Sequence, residues 1–249
     1  MVLNDKVAII TGASRGIGEE IARLFAANGA DLVLVGRNAE RLSDLAKWIL
    51  RTFGREPFIV IADIADTNQL EEVVNQSIKR FGRLDILVNS AGSISREHFS
   101  EFSMDDYHYL LKVNLHAPIY LSHLILPHMR SAGGGCIVNV TSQMSRLPHP
   151  NAAIGYEVSK AGLAAATRHI AFHYSQFNIR TNSIAPGSIE TDMLMSMNSE
   201  VRSQMKSRIP IQCFGSPRDV ANAALFLASP QSCYITGATI DVNGGSWMP

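Results

Sequence analysis

The sequence predicts an α/β protein in which parallel strands form one doubly wound sheet with helices on both faces. Short β-branched, apolar runs alternate with longer amphipathic stretches throughout the 249 residues. The runs near residues 7, 32, 59 and 86 are apolar almost throughout, as expected of parallel strands covered on both faces. A glycine-rich loop follows the first run directly. In a sheet of this kind, ligands bind beyond the carboxyl ends of the strands, so the residues at those ends matter most.

Seven strands are predicted, each separated from the next by a helical segment. In chain order they are 7–11 (VAIIT), 31–35 (DLVLV), 57–62 (PFIVIA), 84–89 (LDILVN), 136–141 (CIVNVT), 179–185 (IRTNSIA) and 238–242 (ATIDV). Because no linker, repeat or low-complexity tract interrupts this order, we expect a single domain over residues 1–249. The segment 188–215 has no clear period and is rich in methionine, and we expect it to cover the substrate.

Composition points to a small-molecule partner. Lys plus Arg equals Asp plus Glu at 22 each, so no net charge attracts nucleic acid or an anionic membrane. No apolar stretch approaches the roughly 18 residues of a membrane span, and the first residues do not resemble a secretory leader. We therefore expect a cytoplasmic protein. The three cysteines lack metal-ligand spacing and no HExxH pair occurs, so no metal is expected.

The loop TGASRGIG, residues 11–18, joins the first strand to the first helix. Gly12, Gly16 and Gly18 allow positive φ and close approach, and the helix N-terminus presents free N–H groups to a pyrophosphate. The alternative is a glycine turn that only caps the helix. The pattern resembles the glycine motif of the short-chain dehydrogenase/reductase family, and the resemblance extends along nearly the whole chain. It implies a Rossmann-like fold and a nicotinamide cofactor.

The end of the second predicted strand favours NADP(H) over NAD(H). An NAD-selective protein usually places an acid there, on the adenosine ribose. Here the residues are Gly36 and Arg37. Arg37 can hold the 2′-phosphate of NADP with a planar guanidinium, and Arg15 in the glycine loop can assist. The alternatives are that both arginines are ordinary surface residues and that NAD(H) is used.

The family resemblance implies a larger set of cofactor contacts, spread over the ends of the strands. They are Gly12, Ser14, Arg15, Gly16, Ile17, Gly18, Arg37, Asp63, Ile64, Asn89, Ala91, Gly92, Tyr156, Lys160, Pro186, Gly187, Ile189 and Thr191. The segment NSAG, residues 89–92, resembles the NNAG turn of the family, with Ser90 in place of the second asparagine.

Tyr156 and Lys160 stand four apart in IGYEVSKAGL and therefore on one face of a helix. With Ser142 and Asn114 they resemble the catalytic tetrad of the family. Reduction of a ketone builds negative charge on its oxygen, which must receive a proton. By the resemblance Tyr156 donates it, Lys160 lowers the pKa of Tyr156, Ser142 holds the substrate oxygen, and Asn114 positions a water. The alternative is a core tyrosine beside a lysine that extends to the surface.

Substrate contacts are predicted at Ser142, Met144, His149 and Met193, in an apolar pocket. We expect a free ketone, secondary alcohol or polyol. A 3-oxoacyl group on acyl carrier protein is the alternative, and a non-catalytic dinucleotide-binding sensor or scaffold is a third interpretation. The resemblance also implies a homotetramer or homodimer.

Overall fold

The strands of the protein all belong to one parallel sheet. The computed structural model describes residues 1–148, 152–195 and 197–248. Its strands are β1 (Val7–Thr11), β2 (Asp31–Gly36), β3 (Phe58–Ile61), β4 (Ile86–Asn89), β5 (Gly135–Val140), β6 (Ile179–Pro186) and β7 (Thr239–Val242). They lie in the order β3-β2-β1-β4-β5-β6-β7, and every adjacent pair is parallel. The chain order reverses between β1 and β4, which is where a doubly wound sheet opens a crevice.

Helices cover both faces of the sheet. They are α1 (Gly16–Ala27), α2 (Ala39–Phe53), α3 (Thr67–Phe81), α4 (Met104–Leu111), α5 (Ala117–Ser131), α6 (Ile154–Tyr174), α7 (Asp192–Met195), α8 (Ser199–Ser207) and α9 (Pro217–Ala228). One apolar core joins α1, α2 and α9 to one face, and a second joins α3, α5 and the end of α6 to the other. Alternate residues of β1 enter each core, Ala8 and Ile10 in the first and Val7 and Ile9 in the second.

The predicted fold class is confirmed. The seven expected strands are present, and each observed end lies within two residues of the expected one. The helical segment between β4 and β5 is not α-helical throughout. A π-helical turn, Lys112–His116, separates α4 from α5 and contains Asn114. Such a turn widens a helix by one residue locally and is frequent at functional sites.

A line of buried polar side chains crosses the middle of the sheet and continues into α6. Asn89, Asn139 and Ser183 are register partners on β4, β5 and β6. The Asn89 amide donates to Asn139 Oδ1 at 2.8 Å, and the Asn139 amide donates to Thr167 Oγ1 on α6 at 2.9 Å. The Ser183 hydroxyl donates to the same Thr167 oxygen at 2.8 Å. We call these four residues the polar line. Since all four are at most 2% exposed, their hydrogen bonds replace those that water would otherwise make.

We expect Asn139→Leu to lower the free energy of unfolding by about 2–3 kcal/mol, because it leaves the buried Asn89 amide without an acceptor and removes a donor from Thr167. Urea unfolding followed by circular dichroism measures this change. Asn222→Ala, on the exposed side of α9, is the control and should change stability by less than about 0.5 kcal/mol. Equal stability of the two variants would contradict the role given to the polar line.

Candidate active site

A single elongated cavity lies beyond the carboxyl ends of the strands. Its volume is about 890 Å³, and it extends without interruption from the glycine loop to Tyr156 and Lys160. Ligand pockets in proteins commonly measure about 300–1,000 Å³. The strand-end segments that line it follow β1, β2, β3, β4, β5 and β6. The cavity therefore occupies the crevice that the strand order predicts.

The glycine loop is shaped for close approach of a ligand. Gly12 and Gly16 have φ of 70° and 58°, a region that favours glycine. A Cβ on Gly12 would lie 2.8 Å from the Cα of Ala91, and one on Gly18 would lie 2.3 Å from the carbonyl oxygen of Gly12. Helix α1 begins at Gly16, so its first N–H groups lie at the cavity wall. At these glycines no side chain covers the backbone N–H groups, as a phosphate-binding turn requires.

Thr11, at the end of β1, fixes the turn that follows β4. Its hydroxyl oxygen accepts hydrogen bonds from the backbone N–H groups of Ser90 and Ala91, both at 3.1 Å. Ala91 and Gly92 line the cavity, but the side chain of Asn89 does not, because it is buried in the polar line. The strand register points the Asn89 amide at Asn139, and the cofactor contact expected at Asn89 stays a prediction.

One end of the cavity carries several charged side chains. Arg15, Arg37 and Arg41 all line it, together with Asp63 and Asp192. Arg37 Nη1 lies 3.6 Å from Asp63 Oδ2, and Arg41 Nη1 lies 3.5 Å from Asp192 Oδ2. These are loose, solvent-exposed pairs of small energetic value, and an anionic ligand can compete for the guanidinium groups. Arg41 lies on α2, one turn after Arg37, and was not predicted from the sequence.

At the other end of the cavity, Tyr156 and Lys160 line the wall with Ser142. The Ser142 hydroxyl lies close enough to the Tyr156 phenol to influence its pKa. The Lys160 ammonium lies 5.9 Å from the centre of the Tyr156 ring and donates to the carbonyl oxygen of Val140 at 2.8 Å. Helix α6 and strand β5 thus bring together the three side chains that the sequence motif links.

The pKa of Tyr156 differs from expectation. Burial raises the pKa of this phenol above its usual value, and the hydrogen bond with Ser142 lowers it only in part. Burial also lowers the pKa of Lys160 to about 8. In the protein without ligand the desolvation of Tyr156 therefore outweighs any attraction from the ammonium, and the phenol remains protonated at neutral pH.

Asn114 stands behind the cavity wall. Its Oδ1 accepts from the backbone N–H of Ser93 at 2.9 Å, and its amide donates to the carbonyl oxygen of Ser93 at 2.8 Å and to Ser159 Oγ at 3.2 Å. The Ser159 hydroxyl in turn donates to the carbonyl oxygen of Tyr156 at 2.7 Å. These bonds tie the loop after β4 to the second turn of α6. The water that Asn114 is expected to position stays a prediction.

The substrate end of the cavity is mainly apolar. Met144, Leu194, Met197 and Met205 line it, so the segment 188–215 contributes to the wall through α7, α8 and the residues between them. Of the residues predicted to contact the substrate, Ser142 and Met144 line the cavity. His149 and the side chain of Met193 lie outside the described residues. Pro186, Gly187, Ile189 and Thr191 also line the cavity.

The described residues hold no group of three or more His, Cys, Asp or Glu side chains that could bind a metal ion. His169 and His173 lie four residues apart on α6 and form an HxxxH pair, with ring centres separated by 4.5 Å. Within the same residues, no helix is long and apolar enough to cross a membrane.

The cavity fits a dinucleotide. The backbone of the glycine loop and the start of α1 can bind a pyrophosphate, and the arginines can bind an additional phosphate group. The cavity continues from there to the Tyr156 side chain. Gly92 keeps the passage open, because a Cβ there would lie 3.1 Å from Asn114 Oδ1 and 3.4 Å from the Lys160 ammonium. The geometry thus defines a Rossmann-like dinucleotide site joined to a tyrosine–lysine–serine centre.

Comparison with known proteins agrees with this interpretation of the cavity. The family model described as Enoyl-(Acyl carrier protein) reductase matches residues 12–246. The 7alpha-hydroxysteroid dehydrogenase of Escherichia coli (strain K12) is 38% identical over 244 residues, covering 98% of this chain and 94% of the relative. The 3-oxoacyl-(acyl-carrier-protein) reductase FabG of Thermotoga maritima is 36% identical over 246 residues, covering 98% and 99%.

A solved structure of 7 alpha-hydroxysteroid dehydrogenase, complexed with NADH and 7-oxo glycochenodeoxycholic acid, superposes with a TM-score of 0.94. It is 38% identical and covers 98% of this chain and 94% of that chain. The protein belongs to the short-chain dehydrogenase/reductase family. It is an oxidoreductase of a family that acts on CH–OH groups and binds a nicotinamide dinucleotide.

Lys160 should make the stability of the protein without ligand depend on pH. Its pKa falls from 10.5 to about 8 on folding, so between these values the unfolded chain holds a proton that the folded chain has released. Stability therefore rises with pH through this window, and the cost of burying the ammonium is largest below pH 8. In urea unfolding between pH 7 and 10, Lys160→Met should reduce this rise, whereas Lys79→Met on the exposed surface of α3 should not. Identical pH profiles for the wild type and Lys160→Met would exclude the shifted pKa.

Proposed function

We propose that the protein is an NADP(H)-dependent oxidoreductase that interconverts a ketone and a secondary alcohol, with Tyr156 as proton donor and acceptor. The observation that carries the proposal is that the side chains of Tyr156, Ser142 and the buried Lys160 share one wall of a cavity that is continuous with the glycine loop. A sensor or scaffold that only binds the dinucleotide would not need this centre, so the intact centre supports an enzyme over that alternative.

In the direction of reduction, a reduced nicotinamide bound in this cavity would supply the hydride for the carbonyl carbon. The Ser142 hydroxyl donates a hydrogen bond to the carbonyl oxygen and holds it beside Tyr156. The Tyr156 phenol transfers its proton to that oxygen, which completes the alcohol. Its raised pKa keeps the phenol protonated and ready for this step. Lys160, whose pKa is about 8, is protonated at neutral pH and stabilises the phenolate that remains.

The preference for NADP(H) rests on the charged end of the cavity. No carboxylate follows β2 directly, where Gly36 and Arg37 stand. Arg15, Arg37 and Arg41 place three guanidinium groups in the same wall. A 2′-phosphate gains charge-assisted hydrogen bonds from such groups. The solved relative contains NADH, so this arginine-rich wall is the feature on which the proposal for the present chain depends.

The apolar end of the cavity supports a free ketone or alcohol as substrate. Methionine side chains adapt to bulky apolar ligands, and one relative was solved with a 7-oxo steroid conjugate. The similarity to FabG favours a second candidate, reduction of a 3-oxoacyl group on acyl carrier protein. Residues 131–135 and 173–177 contain no lysine or arginine to meet an acidic carrier. Turnover of 3-oxoacyl thioesters on the carrier, at rates well above those of free ketones, would establish the second candidate.

A homotetramer or homodimer belongs to the same proposal. Large apolar side chains remain open to solvent on α6 and near the C-terminus, with Phe172 83% exposed and Tyr234 99% exposed. Burial of such side chains against a second copy of the chain would remove apolar surface from water.

Tyr156→Phe should lower kcat/KM for ketone reduction by about 100-fold or more, because the variant keeps the ring but has no proton to give. Steady-state assays of a ketone panel with NADPH measure the loss, and circular dichroism checks the fold. Tyr174→Phe, near the end of the same helix, is the matched control and should retain activity. Unchanged turnover in Tyr156→Phe would overturn the mechanism.

Arg37→Asp should raise the Kd for NADPH by about 10-fold or more and shift the preference towards NADH, because a carboxylate repels the 2′-phosphate and suits the ribose hydroxyl. Fluorescence titration of both cofactors measures the shift. Arg51→Asp makes the same charge change on α2 outside the cavity and should leave the ratio of the two Kd values unchanged. An unaltered NADPH affinity in Arg37→Asp would exclude the proposed 2′-phosphate contact.

A further inference from the structure

Gln143 is a buried polar residue of the cavity wall for which the mechanism above has no use. It follows Ser142 directly and begins the short 3₁₀ turn Gln143–Ser145. Its side chain lines the cavity and is only 9% exposed. Its Oε1 is buried and has no hydrogen-bond partner. A buried amide oxygen without a partner costs roughly 1–3 kcal/mol, and such groups in native proteins concentrate at functional sites.

The carboxamide lies against Gly187. A Cβ at position 187 would come within 3.1 Å of Gln143 Oε1 and within 2.8 Å of the Cα of Asn243. Because Gly187 has no side chain, the carboxamide has space between the end of β5 and the end of β6. Pro186, Gly187 and Ser142 line the same part of the cavity, so the carboxamide adjoins the group that holds the reacting oxygen.

The turn that carries Gln143 is fixed at both ends. At its start, Ser142 Oγ accepts a hydrogen bond from the backbone N–H of Met144 at 3.2 Å. At its end, Arg146 Nη1 donates to Asp241 Oδ2 at 2.8 Å, and the guanidinium carbon lies 4.4 Å from the centre of the Trp247 ring. Gln143 is therefore held in the wall by its neighbours, as a residue that orients a ligand must be.

The chemistry of this part of the wall selects the ligand group. The carboxamide offers one acceptor and two donors, and the neighbouring Ser142, Met144, Pro186 and Gly187 carry no charge. An ammonium or a carboxylate would lack a counter-charge here. A hydroxyl both donates and accepts, so it pairs with the carboxamide whichever way its oxygen and nitrogen are oriented.

We propose that Gln143 binds a hydroxyl group of the substrate close to the reacting carbonyl, so that hydroxyketones and the corresponding diols are the substrate class. This inference rests on the proposed function. Ser142 and Tyr156 hold the carbonyl oxygen, and Gln143 holds the second oxygen. Two fixed points orient the substrate in the cavity, and an analogue without the hydroxyl leaves the buried carboxamide unpaired.

The test compares two ketones that differ in one hydroxyl, cyclohexanone and 2-hydroxycyclohexanone, as substrates of the full-length protein with NADPH. We expect wild-type kcat/KM to favour the hydroxyketone by about 10-fold or more, and Gln143→Leu to remove most of this ratio through a higher KM for the hydroxyketone. Ser145→Ala is the matched control, because Ser145 Oγ is also buried without a partner and belongs to the same turn but does not line the cavity. It should preserve the ratio.

The outcomes separate this inference from the proposed function. A wild-type ratio near one, or an equal loss for both ketones in Gln143→Leu, would overturn the role of Gln143 while leaving the ketone reductase intact. If the wild type reduces neither ketone nor any member of the wider panel, the proposed function fails. The role of Gln143 is then decided by calorimetric titration of the protein and NADP⁺ with 1,2-cyclohexanediol and cyclohexanol, where equal affinities, or a preference for the diol that survives in Gln143→Leu, would exclude it.

Discussion

The position of α6 relative to the sheet is the constraint on which the site depends, and the polar line sets it. Asn139 lies three residues before Ser142 on β5, and Thr167 lies seven residues, about two helical turns, after Lys160 on α6. The hydrogen bond between Asn139 and Thr167 therefore couples the strand that leads to Ser142 to the helix that carries Tyr156 and Lys160. Apolar contacts alone would allow α6 to slide along the sheet, because they have no preferred direction. A buried hydrogen bond lost in such a slide has no replacement.

A second set of contacts fixes the second turn of α6. Asn114 binds both backbone polar groups of Ser93 and reaches Ser159, which lies between Tyr156 and Lys160 in the chain. The π-helical turn that carries Asn114 interrupts the regular ladder of the long helix at this point. Together with the polar line, these bonds hold α6 near its start and near its middle. Their combined effect is that two flexible side chains, a tyrosine and a lysine, project from a helix with little freedom to move.

The sequence predicted the features that depend on local pattern. The strands followed from apolar runs, the dinucleotide loop from Gly12, Gly16 and Gly18, and the reactive pair from the four-residue spacing of Tyr156 and Lys160. Features that depend on contacts distant in the chain were not predicted. Asn89 turns away from the cavity because of its register with Asn139, 50 residues later. Gln143 adjoins Gly187 because β5 and β6 are neighbours, which no local pattern shows.

The two ends of the cavity are built differently, and this difference explains why the identity of the substrate is harder to infer than that of the cofactor. The dinucleotide end consists mainly of backbone, with bare glycines, a helix start and a turn held by Thr11. The part of such a site that is built from backbone changes only if the fold changes. The substrate end consists of side chains such as Met144, Met197 and Gln143 on separate segments, each of which can be replaced without moving the sheet. Relatives that are 38% and 36% identical along nearly the whole chain are accordingly named for a steroid and for an acyl carrier substrate. Substrate choice in this chain must therefore be argued from individual side chains, and the buried carboxamide of Gln143 is a polar group that the chemistry of the tyrosine centre leaves unexplained.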